Sequence, residues 1–398
     1  CLELKRKNLQ AIDDCRLEGN YDSLHHFLSQ SPWDEEKLNE KRLKLIQGDR
    51  RTSTSQKGSL IIDDTGCKKT GKCTEGAKPQ RLGSEGRITN CNIVVTSHYM
   101  DETNDFPIGL VPYIPQDKFK GKGSSEFHTK IDFAIKLMKD ALQKGIQFGE
   151  VLIDNWYLCK RTVEFCEKRG LHWFSTLKKN DILYRKRRKE KMKKVKRHGR
   201  KRIRRYHKVK EKLTVEELVV SLPSSCFTQM VKIYKDGKEQ IRYIWGANFK
   251  VSSLNGTKRI VISKPDPYSK DMDKIDVYIT NNLSLGDKQI VSHVSRRWKI
   301  EDFYRDAKDN LGFDQYQVRS LKVIKRHWYL VFLAYTFLKM SKLKGAFQRV
   351  FKPDVSLNTL GDLLKAFRKL NFLHFCRWLK NHYDVLLEYL QVKEPIFA

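Results

Sequence analysis

Two short apolar runs end in aspartate. Leu60-Ile61-Ile62-Asp63-Asp64 and Val151-Leu152-Ile153-Asp154 each read as a buried strand that delivers a carboxylate at its C-terminal end. Ligands of open α/β sheets sit at such ends. A third carboxylate, Glu301, lies in a helical stretch from about Gln289 to Asn310. At about 100° per residue, Ile300, Phe303, Tyr304, Ala307 and Leu311 form its core-facing stripe, and Asp302, Asp306 and Asp309 fall on the solvent side. Glu301 stands at the edge of the core face, in one line with Arg297, Arg305 and Lys308. Alone, that helix reads as an i,i+4 salt-bridge ladder, and a single strand-end Asp as a turn or cap residue. Together, two strand-end aspartates (Asp64 and Asp154) and one helical glutamate are what a two-metal site requires. Mg²⁺ prefers carboxylate oxygens and keeps several waters. Two such ions about 3.5–4 Å apart can activate a nucleophile and steady the leaving oxygen of an in-line phosphoryl displacement. Cations on the stripe of Glu301 would then hold phosphates.

The elements that carry these groups follow from the pattern around them. Residues 1 to about 48 read as helical, with a helix start at Ser31-Pro32-Trp33-Asp34-Glu35-Glu36, where Pro stands in the entry and acids in the first turn. Cys91 to Thr96 is a second strand, antiparallel to the one ending at Asp64. Phe127 to Lys144 repeats apolar residues at helical spacing. Leu158 to Arg169 reads as a helix and Leu171 to Leu177 as a strand. From about Leu218 to Thr280 the chain is β-rich, with strands at Val231–Tyr234, Ile241–Trp245, Arg259–Ser263 and Asp276–Ile279. Helices return after Gly286, and no internal repeat is visible.

Charge supplies the partner class. The 398 residues hold 79 Lys and Arg against 47 Asp and Glu, a net +32, which points to a polyanion: nucleic acid first, an anionic membrane surface second. Half of that excess is local. Residues 185 to 212 hold 18 Lys and Arg against Glu190 and Glu211, and this run reads as a disordered or helical arm that tracks phosphates. With 39% hydrophobic residues the chain is not a disordered one. The longest apolar run, Trp328 to Leu338, is too short to span a bilayer, and Leu330 to Phe337 reads as a buried helix under the sheet. Nine unpatterned cysteines argue against a secreted disulfide framework. No secretory signal is visible, although the chain opens on Cys1 and a removed leader stays open. Gly66-Cys67-Lys68-Lys69-Thr70-Gly71-Lys72-Cys73 nearly matches a phosphate-binding loop, but Cys73 replaces the Ser/Thr that would hold Mg²⁺ and poor helix formers follow. It reads instead as a basic loop beside the site. Cys67, Cys73 and Cys91 lack the paired spacing of a zinc site.

These motifs, in this order, resemble the DDE transposases of prokaryotic insertion sequences, in the broad IS-four-like group. Leu60-Ile61-Ile62-Asp63-Asp64-Thr65-Gly66 is similar to the family's first-Asp strand, where the Asp before Thr is the metal ligand. Val151-Leu152-Ile153-Asp154-Asn155-Trp156-Tyr157 is similar to its second-Asp motif. Arg297-Trp298-Lys299-Ile300-Glu301, with Lys308 seven residues on, resembles the Tyr-Arg-Glu-Lys signature, in which Arg and Lys contact phosphate and Glu is the third ligand. His25-His26-Phe27-Leu28 with Ser31-Pro32-Trp33-Asp34 is similar to the N-terminal region. Val294 stands where the signature has its Tyr, and His293 or Tyr304 is the candidate substitute. Asp63 competes with Asp64 as first ligand, since adjacent strand residues point to opposite faces. The place before Thr65 favours Asp64.

The resemblance implies an α/β fold: a ribonuclease-H-like mixed sheet flanked by helices, with a β-rich insertion and helical N- and C-terminal parts. The expected organisation is a helical DNA-binding region over 1–55, the catalytic core over 56–182 and 286–345, a basic arm and β-rich insertion over 183–285, and a helical C-terminal region over 346–398. It implies cut-and-paste transposition: Asp64, Asp154 and Glu301 hold two Mg²⁺, with Mn²⁺ as a substitute, a phosphodiester at the transposon end is hydrolysed, and the freed 3′-hydroxyl attacks the opposite strand or the target. Expected DNA contacts are Arg297, Lys308 and Arg305, with Lys72, Arg185, Lys186, Arg187, Arg188, Lys193, Lys194, Arg200, Lys201, Arg202, Arg204 and Arg205. Trp245, by residue type, is a candidate to stack on a flipped base in the insertion, against the plainer role of a core Trp. The implied partners are terminal inverted repeats and target DNA, bound by a dimer in the synaptic complex. The implied setting is cytoplasmic and nucleoid-associated, with no membrane. The rivals are a transposase-derived DNA-binding protein without activity and another ribonuclease-H-like nuclease such as a resolvase. Metal-dependent cleavage separates the first rival from the preferred reading.

Overall fold

In this computed structural model, residues 4, 6–14, 20–71, 73–116, 127–191, 205–233, 239–345, 347 and 357–389 are described. Strand β1 (Ser59–Lys68) lies between β3 (Arg87–Met100), antiparallel to it, and β5 (Glu150–Ile153), parallel to it. β6 (His172–Thr176) follows β5 in parallel. β2 (Lys78–Leu82) and β4 (Asp105–Tyr113) share the other edge of β3. The order β4-β3-β1-β5-β6, with β3 reversed, is a ribonuclease-H-like mixed sheet. The parallel crossovers run through α4 (Lys130–Gln143) and α5 (Lys160–Glu167), since parallel neighbours need a long connection. α4 starts on a capping box, Thr129 with Asp132, which satisfies two otherwise orphaned backbone donors.

The stretch expected as an insertion continues this sheet. β12 (Asp276–Thr280) pairs antiparallel with β6, and β11 (Thr257–Lys264), β10 (Glu239–Val251), β7 (Ile182–Lys191) and β8 (Arg205–Thr214) follow outward, with β9 (Thr228–Ile233) on β10. Among the described residues, twelve strands form one sheet. A short helix, α6 (Val215–Ser221), sits inside the stretch expected to be β-rich.

Helices cover both faces of the central strands. On one face Leu60, Ile62, Val151 and Ile153 pack with Ala134, Leu137 and Met138 of α4, and with Leu43 and Ile46 of α3 (Glu35–Gln47). On the other, Ile61, Leu152 and Phe174 pack with α7 (Asp287–Ser295), α8 (Trp298–Leu311) and α9 (Leu321–Leu343). α10 (Leu360–Tyr389) adds Leu360, Leu363 and Leu364 to that core. The N-terminal helices α1 (Leu9–Asp14), α2 (Tyr21–Ser29) and α3 are in place, and Asp34 caps α3 through the backbone N–H groups of Glu36 and Lys37. No described helix is long and apolar enough to cross a membrane.

Two expectations change here. The helix expected over Gln289–Asn310 is two helices, broken at Arg296 and Arg297, where backbone bonds shorten to three-residue spacing (Arg297 N–H to Val294 O, Ile300 N–H to Arg297 O). The basic run, expected as a disordered or helical arm, has its two ends paired as the antiparallel ribbon β7–β8, from Ile182↔Thr214 to Lys191↔Arg205. The reason is the anchor at its base. Leu183 and Leu213 are buried in the core and opposite each other, so the strands leave the sheet already in register. Trp245 is half-buried on the core side beside Phe249, with ring centroids 6.3 Å apart.

Candidate active site

Strand parity decides which aspartates meet α8. Successive strand residues face opposite sides. Ile61 lies in the core under α8 and Ile62 in the core under α4, so Asp63 belongs to the α8 face and Asp64 to the α4 face. In β5, Leu152 faces α8 while Val151 and Ile153 face α4, and Asp154 follows directly. The register Ile62↔Ile153 brings Asp63 and Asp154 to neighbouring ends of adjacent strands. Glu301 comes from the first turn of α8.

The side chains bear out that parity. Arg297 reaches Asp63 (Nη1 to Oδ2, 3.3 Å) and Glu301 (Nη2 to Oε1, 3.1 Å), bridging the two carboxylates. Burial raises the Asp63 carboxyl to about 7; Arg297 pulls against this, while the charges of Asp64 and Asp154 add to it. Glu301 is raised too, first by burial and then by Asp154 and Asp302, with Arg297 opposing. The charge of Asp154 therefore acts against both Asp63 and Glu301, and one guanidinium lies between those two. Among the described residues, no ion pair or side-chain hydrogen bond engages Asp154.

Asp64, favoured from the sequence, stands elsewhere. Lys130 Nζ at the start of α4 donates to its Oδ2 at 2.8 Å and Tyr157 OH to its Oδ1 at 2.7 Å. It joins β1 to α4 and to the segment after β5, on the face away from Glu301. Asp63 Oδ1 in turn accepts the Asp64 backbone N–H at 2.8 Å.

The cations and aromatic residues of the signature are also placed. Lys308 Nζ donates to Thr65 Oγ1 and to the Gly66 carbonyl, both at 2.9 Å, and so ties α8 to β1. Arg305 is exposed and pairs with Asp302 at 2.6 Å. Asp306, expected on the solvent side, is half-buried, and burial raises its carboxyl. Neither substitute for the missing Tyr is presented to a ligand. His293 is bound to Glu150 (2.7 Å) and stacked on Phe174, while Tyr304 is buried with its hydroxyl on Thr96 Oγ1 (2.6 Å). Arg185, at the foot of the ribbon, pairs with Glu211 at 2.8 Å. Lys186, Arg187 and Arg188 lie on β7 and Arg205 on β8. Lys72, Lys193, Lys194, Arg200, Lys201, Arg202 and Arg204 lie outside the described residues.

Sequence reasoning assigned no role to Lys130, Tyr157, Trp156 or Trp298. The two tryptophans are 60% and 58% exposed, within three residues of Asp154 and Glu301. Each has a cation near its ring: Lys178 at 6.0 Å from Trp156 and Arg297 at 5.3 Å from Trp298. Two large exposed aromatics so close to two carboxylates was the available signal.

The donor chemistry fits a divalent metal. Asp63, Asp154 and Glu301 offer carboxylate oxygens alone, the set that hard cations prefer, and Arg297 shows that a cation is drawn between two of them. Among the described residues, no three acidic, His or Cys groups stand close enough to share one ion as they are.

The family model for the DDE superfamily endonucleases matches residues 1–239. The chain belongs to this family. The match takes in Asp63 and Asp154 with their strands, and the family's nucleases generally use divalent metals. A probable transposase for insertion sequence element IS701, from Microchaete diplosiphon, is 32% identical to this DDE family member over 180 residues, 45% of the chain and 46% of the relative. The alignment thus spans about half the length of the curated relative. A solved structure, that of the NurA nuclease from Sulfolobus solfataricus, aligns over 84% of the chain and 98% of its own, at a TM-score of 0.24 and 11% identity. A superposition that loose bears on neither the fold nor the site.

Proposed function

We propose that this DDE endonuclease is the transposase of an insertion sequence, cutting DNA at the element's ends and joining the freed 3′-hydroxyl to target DNA. The observation that carries the reading is the meeting of Asp63, Glu301 and Arg297 on the α8 face, beside the strand end of Asp154. Asp63, Asp154 and Glu301 would hold two divalent ions, Mg²⁺ or Mn²⁺. Bound there, the metal supplies an activated water and stabilises the leaving oxygen of the phosphodiester. The chain's own residues orient the substrate. Arg297 has the planar fork that matches a phosphate's oxygens, and it stands next to the reacting position. Lys308 braces β1 against α8 and so fixes the spacing of Asp63 from Glu301. Asp64, held by Lys130 and Tyr157, anchors the strand from behind. DNA is the polyanion that the net charge of +32 calls for, and joining two ends requires two copies on DNA.

Glu301→Gln tests the chemistry. It keeps the size of the side chain and removes the ligand charge. Metal-dependent nicking of end-bearing duplex should fall by about a thousandfold or more, with DNA affinity in a gel-shift nearly unchanged. Equal loss of cleavage and binding would contradict the catalytic role.

The ribbon β7–β8 is read as a phosphate-contacting arm. A triple change of Lys186, Arg187 and Arg188 to Gln should weaken duplex binding and lower the slope of log K against log salt by about 2–3. An unchanged slope would remove the ribbon from the DNA interface.

A further inference from the structure

Arg297 stands where the charge of a metal is needed. Its guanidinium spans Asp63 and Glu301 with separate nitrogens, 3.3 and 3.1 Å away, and its side chain is only 14% exposed. The acids it bridges are two of the three carboxylates assigned above, and the inference rests on that assignment. Resting on these oxygens, the guanidinium occupies acceptor positions that a divalent ion would use. We propose that Arg297 is an internal counter-ion that plugs the metal site in the DNA-free protein, and that metal and substrate phosphate together draw it out.

Three features make this arrangement a switch rather than a fixed ion pair. The residue sits at the break between α7 and α8, where the backbone bonds run at three-residue spacing, so its Cα is not locked inside a long helix. An alternative rest position is adjacent, since the guanidinium carbon already lies 5.3 Å from the centre of the exposed Trp298 ring, where a cation gains from the π-face. The acids themselves need a cation, because Asp63 and Glu301 stand close enough together to share one guanidinium. Arg297 brings one plus charge to the two carboxylates it bridges, enough to hold them together and too little to neutralise both. A metal ion brings more charge, and a DNA phosphate offers Arg297 the bidentate partner it gives up. Metal binding and DNA binding should therefore favour each other, since each releases what the other uses.

The test is Mn²⁺ binding to the DNA-free full chain, followed by titration calorimetry and by loss of the free-ion paramagnetic resonance signal at pH 8. Arg297→Gln removes the plug and should bind Mn²⁺ about tenfold more tightly than wild type, or better, the scale on which one close opposite charge acts on a carboxylate. Arg297→Lys keeps the charge but lacks the fork that spans two acids, and should fall between. Asp63→Asn in the Arg297→Gln background should lose the gain. Mn²⁺ affinity that is unchanged or weaker in both folded Arg297 variants, while Asp63→Asn still weakens it, overturns the plug and leaves the metal site standing. Affinity that ignores Asp63→Asn and Glu301→Gln alike removes the carboxylate assignment, and the plug with it. Circular dichroism of each variant guards against misfolding.

Discussion

Asp63→Asn is expected to abolish cleavage, and Asp64→Asn to leave it measurable while costing stability. The two residues are neighbours of one type, so the contrast isolates the strand face. Asp63 looks toward α8, where Arg297 and Glu301 meet it. Its replacement removes one of the three carboxylates proposed to hold metal, and the rate should fall by about three orders of magnitude, some 4 kcal/mol of transition-state stabilisation. Asp64 looks toward α4 and accepts from Lys130 and Tyr157 at 2.8 and 2.7 Å. Asn can keep one of these bonds but leaves the partly buried ammonium without its counter-charge, a cost of about 1.5–3 kcal/mol. Single-turnover cleavage and urea unfolding of both variants would decide it. Loss of cleavage in Asp64→Asn with wild-type stability, beside an active Asp63→Asn, would return the first ligand to Asp64.

The reason the sequence alone favours Asp64 over the neighbour that faces α8 is physical. A strand with one wet face alternates apolar and polar residues, and its parity can be read off. β1 is covered on both faces, so Leu60, Ile61 and Ile62 are all buried and carry no alternation. Parity becomes visible only when α8 and α4 are in place. The rest of the core's frame was legible because its signals are local. The apolar runs at Leu60 and Val151, the helical spacing before Lys144 and the stripe Ile300-Phe303-Tyr304-Ala307 all appear as elements. What escaped was set by distant partners. β4 runs through Pro107 and Pro112 on the outer edge of β3, where proline is tolerated but weakens any strand pattern. The basic ribbon is paired from the buried Leu183 and Leu213 outward, whereas its own composition argues for an unpaired arm. Asp302 and Asp306 lie on the outer side of the α8 wheel, yet Asp306 is half-buried, with Lys339 of α9 the charge that acts most strongly on its carboxyl.

Asp105→Ala should be among the most destabilising single changes on the α8 side of the sheet, and its pH behaviour should be opposite to that of Asp63→Asn. The carboxylate of Asp105 opens β4 and gathers groups from three other elements. His98 of β3 bonds it through Nε2, Lys339 Nζ and Tyr335 OH of α9 lie at 3.0 and 3.2 Å, and Lys299 Nζ of α8 at 3.9 Å. Burial opposes its ionisation, but His98, Lys339 and Lys299 outweigh it and hold the carboxyl far below the usual carboxylate range. Removing the acid strands these donors, and breaking a buried pair in this way costs about 3–5 kcal/mol. The Lys299 anchor is lost with it, so α8 carries Glu301 less firmly and cleavage should fall even where the variant remains folded. A depressed acid stabilises the fold above its unfolded pKa, near 3.9, and loses that contribution as pH falls toward its folded value. The gap between wild type and Asp105→Ala should thus be full at neutral pH and close only in acid. Asp63 is the converse case. Its carboxyl is raised from 3.8 to about 7, so between those values the metal-free folded chain holds a proton that the unfolded chain has released, and stability from this group declines as pH rises. In chelator, Asp63→Asn should gain on wild type from about pH 4 to pH 7, while the Asp105→Ala deficit stays constant across the same window. Denaturant unfolding of the three proteins at both ends of that window measures the two slopes together. A flat Asp63 difference would mean that Arg297 neutralises that carboxylate in full, leaving no unmet charge for a metal to satisfy.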